Sequence, residues 1–237
     1  MLYQFKRLKS VYSVSISREH PGKSSSYSCN VYISATIKRG VRLITFEKRD
    51  NLLLDGKDPG QSVDIIMKRL GDSLYPITFK VSGAGNIIGL ENSEDIQSRW
   101  LAQSEQILDK VNHAPVIKRY IDASWLNVKE KLKLQNAILK DSFIRLYLTA
   151  YGKKIGFVAY NFPEQGDSSG FNLRMVGYEG DRVLLSDTQQ ESKFSYNRSE
   201  YGDLLSLSCA LKRVDNEGVV HHFKAEIRAD SDTREIR

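Results

Sequence analysis

NSEDIQSRWLAQSEQILDKV, residues Asn92 to Val111, decides how this chain is read. Ile96, Trp100, Ile107 and Val111 recur at helical spacing and form one apolar stripe, flanked by Leu101 and Leu108. Asn92 or Ser93 is expected to cap the start by accepting a backbone N–H bond. Glu94 and Asp95 follow at the positive end of the helix dipole. The helix is entered from a hairpin pattern, LYPITFKVSGAGNIIGL. There Pro76 cannot donate to a ladder, so a strand runs over Ile77 to Val81. Ser82 to Gly85 supply a glycine turn, and Asn86 to Leu90 return. Strand-like sequence lies on both sides, so this helix opens the helical centre of a β-helix-β chain.

Toward the N-terminus, Leu2 to Ser17 nearly alternates apolar and polar residues, the signature of a strand with one buried face. Arg18 to Ser26 reads as a turn-rich loop from its Pro-Gly and serines. Tyr27 to Lys38 and Val41 to Phe46 alternate again, a meander broken by Gly40. Asp55 to Ser62 is a turn cluster, and Val63 to Asp72 a short helix closed by Gly71. Toward the C-terminus, His113-Ala114-Pro115 breaks the helix, and Val116 to Leu126 forms a second. Lys129 to Tyr151 reads as one long third helix, with Leu132, Leu139, Phe143, Leu146 and Tyr147 along one side and Ile138 beside them. GFVAYNF, FNLRMVGY and DRVLLSD are then strand-length runs, and LLSLSCALKRV with VVHHFKAEIRA forms a hairpin.

The fold expected is therefore α+β: two antiparallel β-rich segments forming a curved or sandwich-like sheet system, with a three-helix insertion packed on one face. The segments are 1–92, 93–151 and 152–237, within one compact domain. The 237 residues are enough for a core without a disulfide or metal staple. Hydrophobic and charged fractions of 41% and 27% are those of an ordinary soluble globular protein, and no apolar run reaches bilayer length. The start lacks a signal-peptide apolar region. The expectation is a cytoplasmic protein, or an exported one whose signal has been removed.

The net charge of +6 is concentrated in the first third, where 14 Lys and Arg face 7 Asp and Glu through Leu90. The cations come as adjacent pairs such as Lys38-Arg39, Lys48-Arg49 and Lys68-Arg69. Neighbours on a strand point to opposite faces, so such pairs do not add into one basic surface, and nucleic acid is not the expected partner. Cys29 and Cys209 stand far apart in strand-like sequence and read as buried thiols; a single bridge between the two β segments is the alternative.

Three motifs invite an enzymatic reading. Gly83 to Gly89, GAGNIIG, approximates a dinucleotide fingerprint, but a strand rather than a helix follows the glycines, so it reads as a hairpin turn. Gly166 to Gly170, GDSSG, fits a nucleophile elbow centred on Ser168 and resembles the nucleophile segment of trypsin-like serine proteases, which have glycine where Ser169 stands. An elbow needs a helix after the serine, and Phe171 to Tyr178 reads as strand. A triad of Ser168 with Asp187 or Asp203 and His221 or His222 is the formal hydrolase option. His221-His222, adjacent on a strand, cannot chelate one metal, and no H-x-x-x-H or C-x-x-C spacing is present. No catalytic residue, metal site or cofactor is therefore expected.

Aromatic residues are the remaining lead. Trp100 is in register with Ile96 and Ile107 and reads as core. Tyr120, Ile121 and Trp125 on the second helix are the candidates for lining a pocket or a partner groove. The pattern of Leu74-Tyr75-Pro76, Gly85-Asn86-Ile87, Asn92 and Arg99-Trp100 resembles small bacterial proteins, over Leu74 to Trp100 alone, and implies no activity. The expected function is non-catalytic binding, as an adaptor or structural component of a protein assembly, with oligomerisation open. The alternative is a carrier holding an apolar small molecule between a curved sheet and a helical lid, an architecture similar to the half-barrel lipoprotein carriers. A serine hydrolase using Ser168 comes third.

Overall fold

Pro21 and Gly22 suffice to turn the chain where a loop from Arg18 to Ser26 was expected. In the computed structural model, β1 (Leu8–His20) and β2 (Lys23–Lys38) pair antiparallel, with His20 opposite Lys23. Gly22 takes a φ of 73°, the left-handed region that suits glycine, and proline presets the residue before it. Ser24, Ser25 and Ser26, loop-like by composition, are ladder residues. The structure describes residues 8–38, 41–60, 62–82, 86–152, 158–161, 170–179, 182–187, 192–198, 204–214, 218 and 220–230.

β3 (Val41–Leu54) runs well past Phe46 and is followed by α1 (Ser62–Asp72), β4 (Ile77–Val81) and β5 (Ile87–Leu90). The helical centre comprises α2 (Ser93–Lys110), α3 (Pro115–Val128), α4 (Lys131–Ile138) and α5 (Ser142–Gly152). The third helix expected over Lys129 to Tyr151 is thus two. Asp141 separates them by accepting the Ile144 N–H on Oδ1 at 3.1 Å, the bond of a helix-capping residue. The break also turns Leu132 outward, while Leu134 and Ile138 face the core. The chain closes with β6 (Val158–Asn161), β7 (Gly170–Glu179), β8 (Arg182–Asp187), β9 (Ser192–Arg198), β10 (Leu204–Val214) and β11 (Val220–Ala229). β9, with only Phe194 and Tyr196 to mark its alternation, was not foreseen.

Among the described residues, all eleven strands belong to one antiparallel sheet, ordered β5-β4-β3-β2-β1-β11-β10-β9-β8-β7-β6. The two β-rich segments join edge to edge where β1 pairs with β11, from Tyr12 opposite Ala229 to Glu19 opposite His222. They do not stack, so the α+β fold has a single open sheet rather than a sandwich. One face is apolar: Tyr12, Val14 and Ile16 on β1 are buried beside Val31, Ile33, Phe223 and Ile227. The alternate residues Ser13, Ser15, Lys224, Glu226 and Arg228 are exposed, as period two requires of a sheet covered on one side. α5 supplies much of the cover. The Tyr147 ring meets Tyr12 and Phe46 edge-on, with centroids 5.3 Å and 5.5 Å apart, and Phe143 meets Phe46 at 5.9 Å. The Tyr12 hydroxyl satisfies itself by donating to the Leu204 carbonyl at 2.9 Å.

On α2 the apolar stripe faces inward as expected, with Trp100 only 3% exposed and Ile96 and Ile107 buried. Its start is built differently from the expectation. Neither Asn92 nor Ser93 caps the helix through its side chain. Asn92 Oδ1 instead accepts the Thr78 N–H at 2.9 Å, and its Nδ2 donates to the Pro76 carbonyl at 2.8 Å. The residue fastens the helix start to the start of β4. Cys29 and Cys209 are free and buried. No helix among the described residues is long and apolar enough to cross a membrane.

Candidate ligand-binding cavity

A β-bulge brings a charged side chain under the helices. Ile33 faces Phe46 across the β2–β3 ladder, yet the next β2 residue, Tyr32, faces Lys48, so Glu47 is an extra residue on β3. Without that bulge, strict alternation would send Arg49 to the face opposite Phe46. With it, Lys48 points outward, its ammonium 4.3 Å from the Tyr32 ring centroid and paired with Asp50 at 3.0 Å. Arg49 points inward, opposite Val31. The adjacent cations do part to opposite faces, and one of them lands in the interior.

Arg49 lines a cavity of about 350 Å³ between α1, α2, α3, α4 and the sheet. Leu70, Leu74, Trp100, Val128, Leu134 and Ile138 contribute apolar wall. Met67 and Tyr120 line the same space while remaining 38% and 41% exposed, so the mouth lies between α1 and α3. Ser124 lines it further in on the α3 side. At the charged end, Arg49 Nη1 donates to Asp141 Oδ2 at 3.4 Å, with the two side chains 19% and 25% exposed. The carboxylate that splits α4 from α5 therefore also meets the cation. The guanidinium stands over the Tyr75 ring, 5.4 Å from its centroid. Arg49 Nε and the Tyr27 hydroxyl are buried without a hydrogen-bond partner.

Electrostatics keeps this end chemically quiet. Burial opposes the charge of Arg49, but Tyr75, Asp141, Cys29 and Tyr27, once ionised, together more than offset that and raise it above the ordinary guanidinium range. Burial pushes the Cys29 thiol up to about 12, with Arg49 partly countering. Burial likewise raises Tyr75 and Tyr27. The thiol and both phenols are protonated at neutral pH, which leaves no thiolate nucleophile there.

α2 sets the wall that carries Tyr75. Arg99 Nε donates to the Ser73 carbonyl at 3.2 Å, and its Nη2 donates to those of Leu74 and Pro76 at 3.1 Å and 2.9 Å. Asn92 reaches the Pro76 carbonyl from the other side. Asn92 and Arg99 thus tie the Ser73–Pro76 backbone to α2, and of the residues in that sequence pattern Leu74, Tyr75 and Trp100 line the cavity. Of the residues singled out on α3, Tyr120 lines the cavity, Ile121 is buried at 4% exposure, and Trp125 is half-buried. Trp125 stands behind the wall, stacked on Trp100 with centroids 5.8 Å apart and planes 19° from parallel. Arg49 and Asp141 were missed. Asp141-Ser142 in a long helical run was the available signal; nothing local marked the bulge.

A second depression, about 430 Å³, lies on the uncovered sheet face between strand residues alone, among them Ser13, Ser28, Asn30 and Arg228. Ser168, Asp203 and the glycine turn at 83–85 fall outside the described residues, as does the side chain of Asp187. His221 and His222 stand half-buried on β11. Among the described residues no group of three or more His, Cys, Asp or Glu converges as a metal site.

No family model matches the chain, and no curated protein matches it. Among solved structures it is similar to a chain from work on lipid–protein interactions in lipovitellin, at 12% identity and a TM-score of 0.42. The match covers 95% of this chain and 25% of that one, so this chain spans about a quarter of the other's length.

Proposed function

We propose that the protein is a non-catalytic carrier of a small, mainly apolar ligand held between its sheet and its helical layer. One observation carries this: a cavity of about 350 Å³ with mainly apolar walls and a single charged pair, Arg49 and Asp141, in its lining. That volume lies within the roughly 300–1,000 Å³ of ordinary ligand sites, which combine apolar lining with a few fixed polar groups. Binding rather than catalysis is favoured because burial raises the Cys29 thiol, near the charged pair, to about 12, away from an activated thiolate.

The test is uptake of a neutral apolar fluorophore, 1-aminoanthracene, by the protein and by Ser124→Trp, which places bulk inside the mouth. Saturable binding lost in the folded variant is the expected result. Equal binding by both, or none by either, would overturn the proposal. An adaptor role is the second reading, favoured by apolar side chains left exposed on α1 (Val63, Ile65, Met67) and α3 (Val116, Leu126). Native mass spectrometry separates the two: a small co-purifying mass belongs to the carrier, and a stoichiometric protein subunit to the adaptor.

A further inference from the structure

A guanidinium offers five N–H donors in a planar fork. At Arg49 one of them meets Asp141 across 3.4 Å, long for a charge-assisted bond, and Nε meets nothing. Withdrawing such a cation from water is costly unless its donors are matched, and Asp141 matches this one only across a long contact. The walls leading to it accept hydrocarbon. Leu70, Leu74, Trp100, Val128 and Ile138 line the same cavity as Arg49 and Asp141. A wholly polar anion would leave those walls unmatched, and a pure hydrocarbon would leave the guanidinium as it is.

We infer that the ligand is a single-chain amphiphile with one carboxylate, its head against Arg49 and its aliphatic chain along the apolar walls; this rests on the carrier reading above. Three features narrow the class. Asp141 already offsets part of the positive charge, so a doubly charged phosphate would meet a carboxylate with nothing to balance its second charge. The cavity, near the lower end of ligand-site volumes at about 350 Å³, suits one chain rather than the two of a phospholipid. The planar fork of arginine matches the planar carboxylate in a way a lysine ammonium does not.

Displacement of bound 1-aminoanthracene by decanoate and by 1-decanol tests this, because the two share a chain and differ in the head. The protein should prefer decanoate by about tenfold or more, the scale of a hydrogen bond to a charged group. Arg49→Met should abolish that preference. Asp141→Asn keeps an oxygen for the Ile144 N–H while removing the competing charge, and should tighten decanoate binding. Equal affinity for the two ligands, a preference surviving Arg49→Met, or weaker decanoate binding in Asp141→Asn would each overturn the inference. The carrier reading fails separately: it falls if the fluorophore itself does not bind, whereas decanol binding as well as decanoate sinks only the carboxylate assignment. Should Arg49→Met not fold, the Asp141→Asn comparison decides alone.

Discussion

Trp100 and Trp125 carry the same side chain into different surroundings. Trp100 is 3% exposed, while Trp125 backs it from a half-buried position. Trp100→Ala should cost about 3–5 kcal/mol, the range for large aromatic truncations in cores, and Trp125→Ala clearly less. Because the rings stack at 5.8 Å, the double variant should lose less than the sum. Urea melts of the three variants check this; equal, small single losses would mean the α2 stripe does not face the core. The buried thiol and phenols make a second prediction. A thiol whose folded pKa is raised leaves stability intact below its unfolded value, near 9, and costs stability as pH climbs from there toward about 12. Tyr27, Tyr75 and Cys209 act in the same direction, all raised chiefly by burial. The urea midpoint should therefore hold steady from pH 7 to 8.5 and fall above pH 9, less steeply in Cys29→Val; a midpoint rising with pH would contradict it.

Asn92 shows how a local rule can select the right residue for the wrong reason. Sequence favours it as a helix cap, yet its side chain holds the Thr78 N–H and the Pro76 carbonyl. Asn92→Ala should cost about 1–3 kcal/mol by stranding a part-buried amide, and Asn92→Ser, a good cap by propensity, should recover little of it. Full recovery in a thermal melt would restore the capping explanation. The same limit governs what was legible elsewhere. Periodicity located α2, β4 and β5 closely, because each pattern and its burial lie within one element. Leu139, Phe143, Leu146 and Tyr147 keep helical spacing straight through the α4–α5 break, so the pattern hid it. The cavity's charged end was hidden for a related reason. Arg49 reads as half of an exposed pair until the bulge at Glu47, a property of two strands in register, turns it inward.

Across the whole molecule, alternation tells which face of each strand is buried but not which strand lies beside it. Two β-rich segments flanking helices are compatible with stacking or with edge-to-edge joining, and β1 pairing with β11 selects the second. That seam connects opposite ends of the chain, a pairing no window of local sequence contains. It also has a consequence for load. The first residue of β1 and the last of β11 lie at the same end of the seam, where Tyr12 faces Ala229 and the Asp230 N–H donates to the Val11 carbonyl at 2.8 Å. A force drawing positions 8 and 230 apart therefore strains one rung at a time, as a zip opens. A force applied through Tyr12 and His222, at opposite ends of the seam, loads all its rungs together in shear. Single-molecule pulling should record a distinctly lower rupture force for the first attachment than for the second, although both start from one native state with one equilibrium stability. Tension, unlike denaturant, has a direction, and in this sheet the weak direction runs through positions 8 and 230.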